Sequence, residues 1–121
     1  MPSPSLNNDV IGVHLMADGV YESPLGEDTI IEILSGLPSR IDMKILSGPM
    51  VFKGVPENPG WTGFVIIDKS HIAIHAFDEG SRVSIDVFSC KPFEEETAIR
   101  YIRERICFKK LKVQILERSE E

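Results

Sequence analysis

Apolar and polar positions alternate along most of the chain, and the period of the alternation changes from stretch to stretch. Val10 to Ala17, VIGVHLMA, has the period-2 pattern of a first strand. In GEDTIIEILSGLPSR the apolar positions Ile30, Ile31, Ile33 and Leu34 fall at helical spacing, with Asp28 placed to cap the helix and Gly36 and Pro38 placed to stop it. Ile41 to Lys53 reads as a strand interrupted at SGP, and GVPENPG as a loop dense in turn residues. Three strands follow, Trp61 to Asp68, Ser70 to Phe77 and Arg82 to Cys90, parted near Lys69 and at DEGS. EEETAIRYIRERI sets Ala98, Ile99, Ile102 and Ile106 on one helical stripe, with acids at its start and bases later, as the helix dipole favours. KLKVQILER alternates as a closing strand. The order β-α-β-β-β-β-α-β predicts an α/β chain of the α+β type. It would be a two-layer sandwich, a mainly antiparallel sheet with two helices on one face. Residues 1–121 read as a single domain, of which residues 1–9 form a flexible tail rich in Pro, Ser and Asn.

Strand parity then sorts the side chains, because alternate residues of a strand point to opposite faces. Ile72 and Ile74 share one face; His71, His75 and Phe77 share the other. Val83, Ile85 and Val87 share one face; Ser84, Asp86, Phe88 and Cys90 share the other. Helices on one side cover the aliphatic face. The second face carries His, Cys, Asp and Phe, neither core-like nor simply solvated, and suits a ligand or a partner surface.

Composition narrows the function classes. Hydrophobic residues at 42% and charged residues at 26% are those of an ordinary globular protein. A formal charge of −6 argues against a nucleic-acid footprint and leans toward a cationic ligand. No run approaches the roughly 18 apolar residues of a membrane span. The opening MPSPSLNND has neither the basic nor the apolar region of a signal peptide. Cys90 and Cys107, without CxxC spacing, suit a reducing cytoplasm.

General motifs add little. On a strand, His71 and His75 stand about 13 Å apart, too far to share a metal, so no metal site is expected. A Cys90–His75 nucleophile pair is conceivable, although such a pair is more often packing than catalysis. GPMVFKG lacks a phosphate-loop pattern. Glu94, Glu95 and Glu96 fit a solvated helix start.

One resemblance goes further. GWTGFVIIDKSHIAIHAFDE, followed by SIDVFSC, resembles the small prokaryotic S-adenosylmethionine decarboxylase proenzymes from Thr62 to Cys90 without a gap. GVHLMAD and KLKVQILER resemble that family's opening and closing elements, so the likeness covers nearly the whole chain. It implies self-processing between Lys69 and Ser70, giving residues 1–69 and 70–121. The Ser70 hydroxyl attacks the Lys69 carbonyl through a five-membered ring, and elimination leaves a covalent pyruvoyl group derived from Ser70. By match, Thr62 and His75 assist processing, with His75 the base for elimination. The pyruvoyl ketone would form a Schiff base with S-adenosylmethionine and take the electrons released as CO₂ leaves, with no separately bound cofactor. Cys90 matches the proton donor, Phe77 an aromatic that stacks on adenine or faces the sulfonium, and Glu79 a substrate-contacting carboxylate. The implied product feeds polyamine synthesis, and the implied assembly is a homodimer through the open sheet face.

The remaining residues read more plainly. His71 is structural, forming hydrogen bonds near the cleavage site. His14 satisfies a buried polar position, Asp86 orients neighbours or faces a partner subunit, and Trp61 and Phe88 pack. Pro56 stands where an aromatic clamp is expected, and Arg82 stands at a tyrosine-like position. These departures leave two alternatives: a pyruvoyl decarboxylase of arginine or ornithine, and a non-processing homologue that binds a ligand or partner.

Overall fold

Every second side chain from Ser70 to Phe77 is apolar or small, and a pleated strand gathers them on one side. The same rule runs through most of the sheet. In the computed structural model, which describes residues 10–120, the chain order is β1 (Val10–Tyr21), α1 (Glu27–Arg40), β2 (Ile45–Lys53), β3 (Gly60–Ile67), β4 (Ser70–Phe77), β5 (Arg82–Ser89), α2 (Glu95–Arg105) and β6 (Phe108–Ser119). A 3-10 turn, Glu79–Ser81, joins β4 to β5. The tail expected over residues 1–9 lies outside the described residues.

The six strands form one antiparallel sheet in the order β2-β3-β4-β5-β1-β6. Leu15, Val65, Ile67, Ile72, Ile74, Ile85 and Val87 point from it into one core, where Ile30, Ile33, Leu34 and Leu37 of α1 and Ala98 and Ile102 of α2 meet them. Each of the buried Val, Leu and Ile side chains among them contributes about 1.5–3 kcal/mol of hydrophobic stabilisation. The helices leave the other face open, as strand parity implies.

Several boundaries differ from the sequence reading, each for a physical reason. α1 runs through Gly36 and Pro38 to Arg40. Gly36 faces Tyr101 of α2, whose hydroxyl would collide with a Cβ there, so this glycine serves close helix packing rather than termination. The helix ends beyond Pro38, whose carbonyl accepts from the N–H groups of Ile41 and Met43. Gly26 occupies the N-cap position with no side-chain cap, and Asp28 lies inside the first turn. Ile31 is exposed, and Leu37 instead completes the buried stripe. β1 continues past Ala17 to Tyr21 because both its neighbours still pair with it there. β2 starts at Ile45 rather than Ile41. Its expected interruption at SGP is present as register shifts on either side of Ser47, beside a cis Gly48–Pro49 bond.

Candidate active site

Ser70 is the first residue of β4, opposite Ile67 of β3 and Ser89 of β5. The turn before it passes through Lys69 at φ 53°, a left-handed conformation uncommon for a residue with a Cβ. Ser70 shares its parity with Ile72 and Ile74, so its side chain faces the helix layer and is only 8% exposed. Its hydroxyl donates to the Asp68 carbonyl at 3.0 Å. Its Oγ also accepts the main-chain N–H of Cys90 at 3.4 Å. Cys90 lies one residue past the end of β5 and is half-buried.

Ser89 fixes this corner. Fully buried, its Oγ accepts the Lys91 N–H at 3.0 Å and donates to the Lys91 carbonyl at 2.7 Å. Lys91 Nζ donates in turn to the Asp42 carbonyl at 2.9 Å.

Beside Ser70 on the open face, His71 packs against Phe88 with ring centroids 5.7 Å apart. No hydrogen bond of the His71 ring accompanies that contact among the described interactions, so its structural role is ring packing rather than the hydrogen bonding expected. His14 meets the same Phe88 ring edge-on, and its Nε2 lies 2.8 Å from Asp86 Oδ1. Both His14 and Asp86 are therefore mutually satisfied polar residues, in line with the reading of His14 as a satisfied position and of Asp86 as an orienting one. The Arg118 guanidinium lies 5.0 Å from the Phe88 centroid.

The other end of the face is polar and open. Thr62 Oγ1 and His75 Nδ1 share a hydrogen bond of 3.2 Å. His75 stands opposite Ser84, whose hydroxyl donates to Asp18 Oδ1 at 2.7 Å. Phe77 stands opposite Arg82, and both line a shallow cleft of about 330 Å³ with Asp18, Gly19, Val83 and Ser84. Glu79 opens the exposed 3-10 turn next to it. Tyr21 closes the end of β4 by donating to the Phe77 carbonyl at 3.0 Å. Burial, then the charge of Asp78, raise the Tyr21 pKa above the ordinary tyrosine value, which keeps that proton in place at neutral pH.

The residues singled out from the sequence thus fall into two groups. Lys69, Ser70 and Cys90 meet at one end of β4; Thr62, His75, Phe77 and Glu79 gather at the other. Five residues of strand, at about 3.3 Å each, separate Ser70 from His75 by about 16 Å. The two side chains also point to opposite faces. A Cys90–His75 pair within one chain is excluded by the same separation. Cys107 lies in the link between α2 and β6, where its thiol donates to Glu22 Oε1 at 3.1 Å. Trp61 packs at the edge of the core. Sequence reasoning missed Ser89 and Tyr21. Ser89 was detectable, being a polar residue at the core-facing parity of Val83, Ile85 and Val87.

Residues 14–119 match the family model described as S-adenosylmethionine decarboxylase. The chain is 32% identical over 112 residues to the S-adenosylmethionine decarboxylase proenzyme of Clostridium botulinum strain Langeland, covering 89% of this chain and 94% of that one. It is 30% identical over 113 residues to the proenzyme of the same name from Aquifex aeolicus, covering 90% of this chain and 82% of that one. The crystal structure of the adenosylmethionine decarboxylase from Aquifex aeolicus VF5 superposes with a TM-score of 0.70 at 26% identity, covering 93% of this chain and 97% of that one.

Proposed function

Because the chain belongs to the S-adenosylmethionine decarboxylase family, we propose that it is a self-processing, pyruvoyl-dependent decarboxylase of S-adenosylmethionine whose product supplies polyamine synthesis. One observation carries this reading. Ser70 heads a strand directly after a left-handed Lys69, and Cys90 lies against its hydroxyl oxygen. The residues fit a pyruvoyl group at position 70: the scissile peptide sits in a tight turn, the serine oxygen is one carbon from Cα, and the main-chain N–H of a cysteine reaches that oxygen. Such a group condenses with a substrate amine and accepts the electron pair released with CO₂. Cys90 is the proton donor, its S–H delivering a proton to the substrate carbon once CO₂ has left. Phe77 offers an aromatic face to the adenosyl and sulfonium end, and Glu79 a carboxylate to the ribose hydroxyls.

The working unit is a pair of copies stacked open face on open face. A two-fold axis across the strands sets the Ser70–Cys90 end of one copy over the Thr62–His75 end of the other, so each site draws its processing base from the partner. This accounts for the separation of about 16 Å within one chain. It also accounts for the apolar side chains left on that face, Phe52, Ile66 and Leu116 among them. A cytoplasmic setting suits the two free thiols. No helix among the described residues is long and apolar enough to cross a membrane.

Intact-mass measurement tests the reading. The purified chain should separate into residues 1–69 and 70–121, the second blocked to N-terminal sequencing, while Ser70→Ala stays whole. A wild-type chain that never cleaves overturns it. Release of labelled CO₂ from S-adenosylmethionine, arginine and ornithine at equal concentration then checks the substrate. Faster release from either amino acid would reassign the substrate and leave the processing chemistry intact.

A further inference from the structure

We infer that the main-chain N–H of Cys90 stabilises the oxygen that departs during self-cleavage, and that Ser89 is the positioning residue that holds it there. The inference rests on the self-processing reading. It separates two functions of one residue: the amide of Cys90 acts once, in maturation, and its thiol acts in every turnover.

The geometry starts from Ser70 Oγ. In the uncut chain its hydroxyl proton is directed at the Asp68 carbonyl. One of its two lone pairs accepts the Cys90 N–H, and the other stays free to attack the Lys69 carbonyl. In the acyl shift the hydroxyl proton moves to the Ser70 nitrogen, the Lys69 carbonyl carbon bonds to Oγ, and the Lys69–Ser70 amide bond breaks. The product is an ester with a free Ser70 amine. In the elimination a base removes the Ser70 α-proton, a Cα=Cβ double bond forms, and the Cβ–Oγ bond breaks. Oγ leaves as part of the new Lys69 carboxylate. Water then hydrolyses the enamine through its imine, releasing ammonia and leaving the ketone. Oγ carries negative charge only in the elimination, and the Cys90 N–H is the donor already aimed at it.

A main-chain donor is only as well placed as its peptide plane. Cys90 lies beyond the last pairing of β5, where the ladder no longer orients it. Ser89 supplies the lost constraint: its hydroxyl holds both the N–H and the carbonyl of Lys91, so the Cys90 backbone is pinned on both sides. Lys91 Nζ ties the same segment to the Asp42 carbonyl in the turn after α1. This fully buried serine at a core-facing position lies directly opposite Ser70.

The test follows the ester. Wild type, Ser89→Ala and Ser89→Thr are purified uncut or early in maturation, and cleavage is timed with and without hydroxylamine. Hydroxylamine traps the ester and leaves a serine, not a ketone, at the new N-terminus. Ser89→Ala should complete self-cleavage about tenfold more slowly, less than the 10²-fold or more seen for the loss of an aligned oxyanion donor, because this contact is long. Its hydroxylamine-trapped fraction should rise, and Ser89→Thr should restore the wild-type rate. If the alanine protein does not fold, Ser89→Cys keeps the size with a far weaker hydrogen-bonding group and should give the same rise in trapped ester. Normal rates without ester accumulation in a folded variant would overturn the inference while leaving self-processing intact. Failure of wild type to cleave would instead remove the reading on which the inference rests.

Discussion

The two ends of β4 are built on opposite plans. At the Ser70 end, side chains are buried and tied to main-chain atoms: Ser70 to Asp68 and Cys90, Ser89 to Lys91. At the His75 end they are exposed and tied to one another, Thr62 to His75 and Ser84 to Asp18. The first arrangement fixes a backbone at the place of the proposed cut. The second leaves ring nitrogens and carboxylates within reach of an approaching molecule. The proposed pairing of two copies would bring these two ends together.

That comparison breaks most decisively by mixing defects. Ser70→Ala and His75→Ala should each abolish or nearly abolish cleavage alone. Co-expressed, they should pair, and roughly half of the His75→Ala chains, those in mixed pairs at random assortment, should be cut, because the proposed pairing sets their intact Ser70 end beneath an intact partner His75. Mass analysis of tagged chains reads this directly. No cleavage in the mixture would return the base to the same chain.

A smaller but still large effect separates the chemistry of the two thiols. Cys90→Ala should mature into two fragments yet lose most CO₂ release, whereas Cys107→Ser, outside both ends, should keep it. Full turnover in both variants would reduce Cys90 to packing.

The smallest effect lies at Cys107. Its S–H donates to the Glu22 carboxylate, and that bond, then the Glu22 charge, raise the thiol pKa. A raised pKa means less thiolate at neutral pH. Glu22→Gln should therefore shift the pH profile of Cys107 alkylation downward and speed labelling a few-fold near pH 8. Cys90 labelling should not change.

Much of this architecture was legible from strand parity. The period-2 run from Ser70 to Phe77 gave β4 with its bounds, and the aliphatic parity of β5 identified the covered face. Parity also held information left unused: Ser70 and Ser89 both sit among core-facing aliphatics, which marks them as a buried pair opposite one another. Other features depend on tertiary partners. Gly36 looks like a helix stop until Tyr101 is seen against it. The His14–Asp86 pair requires that β5 lie beside β1, and many residues separate those strands in the chain. The distance between Ser70 and His75 was calculable from the rise of a strand, but a contiguous motif invites the assumption that its residues meet.

The turn at Lys69–Ser70 lies between β3 and β4, and β1, from the N-terminal part, is inserted between β5 and β6 of the C-terminal part. A cut at that turn would not divide the molecule into two neighbouring halves. The fragments would stay interleaved across three ladders, β3 with β4, β1 with β5 and β1 with β6. Before the cut, unfolding and refolding are events of a single chain. Afterwards the fragments, once separated, must find each other by diffusion and thread one strand back between two, so refolding becomes bimolecular and dependent on concentration. Maturation would then act as a ratchet: the uncut chain can recover from denaturation at any dilution, and the mature protein persists through the slowness of its unfolding.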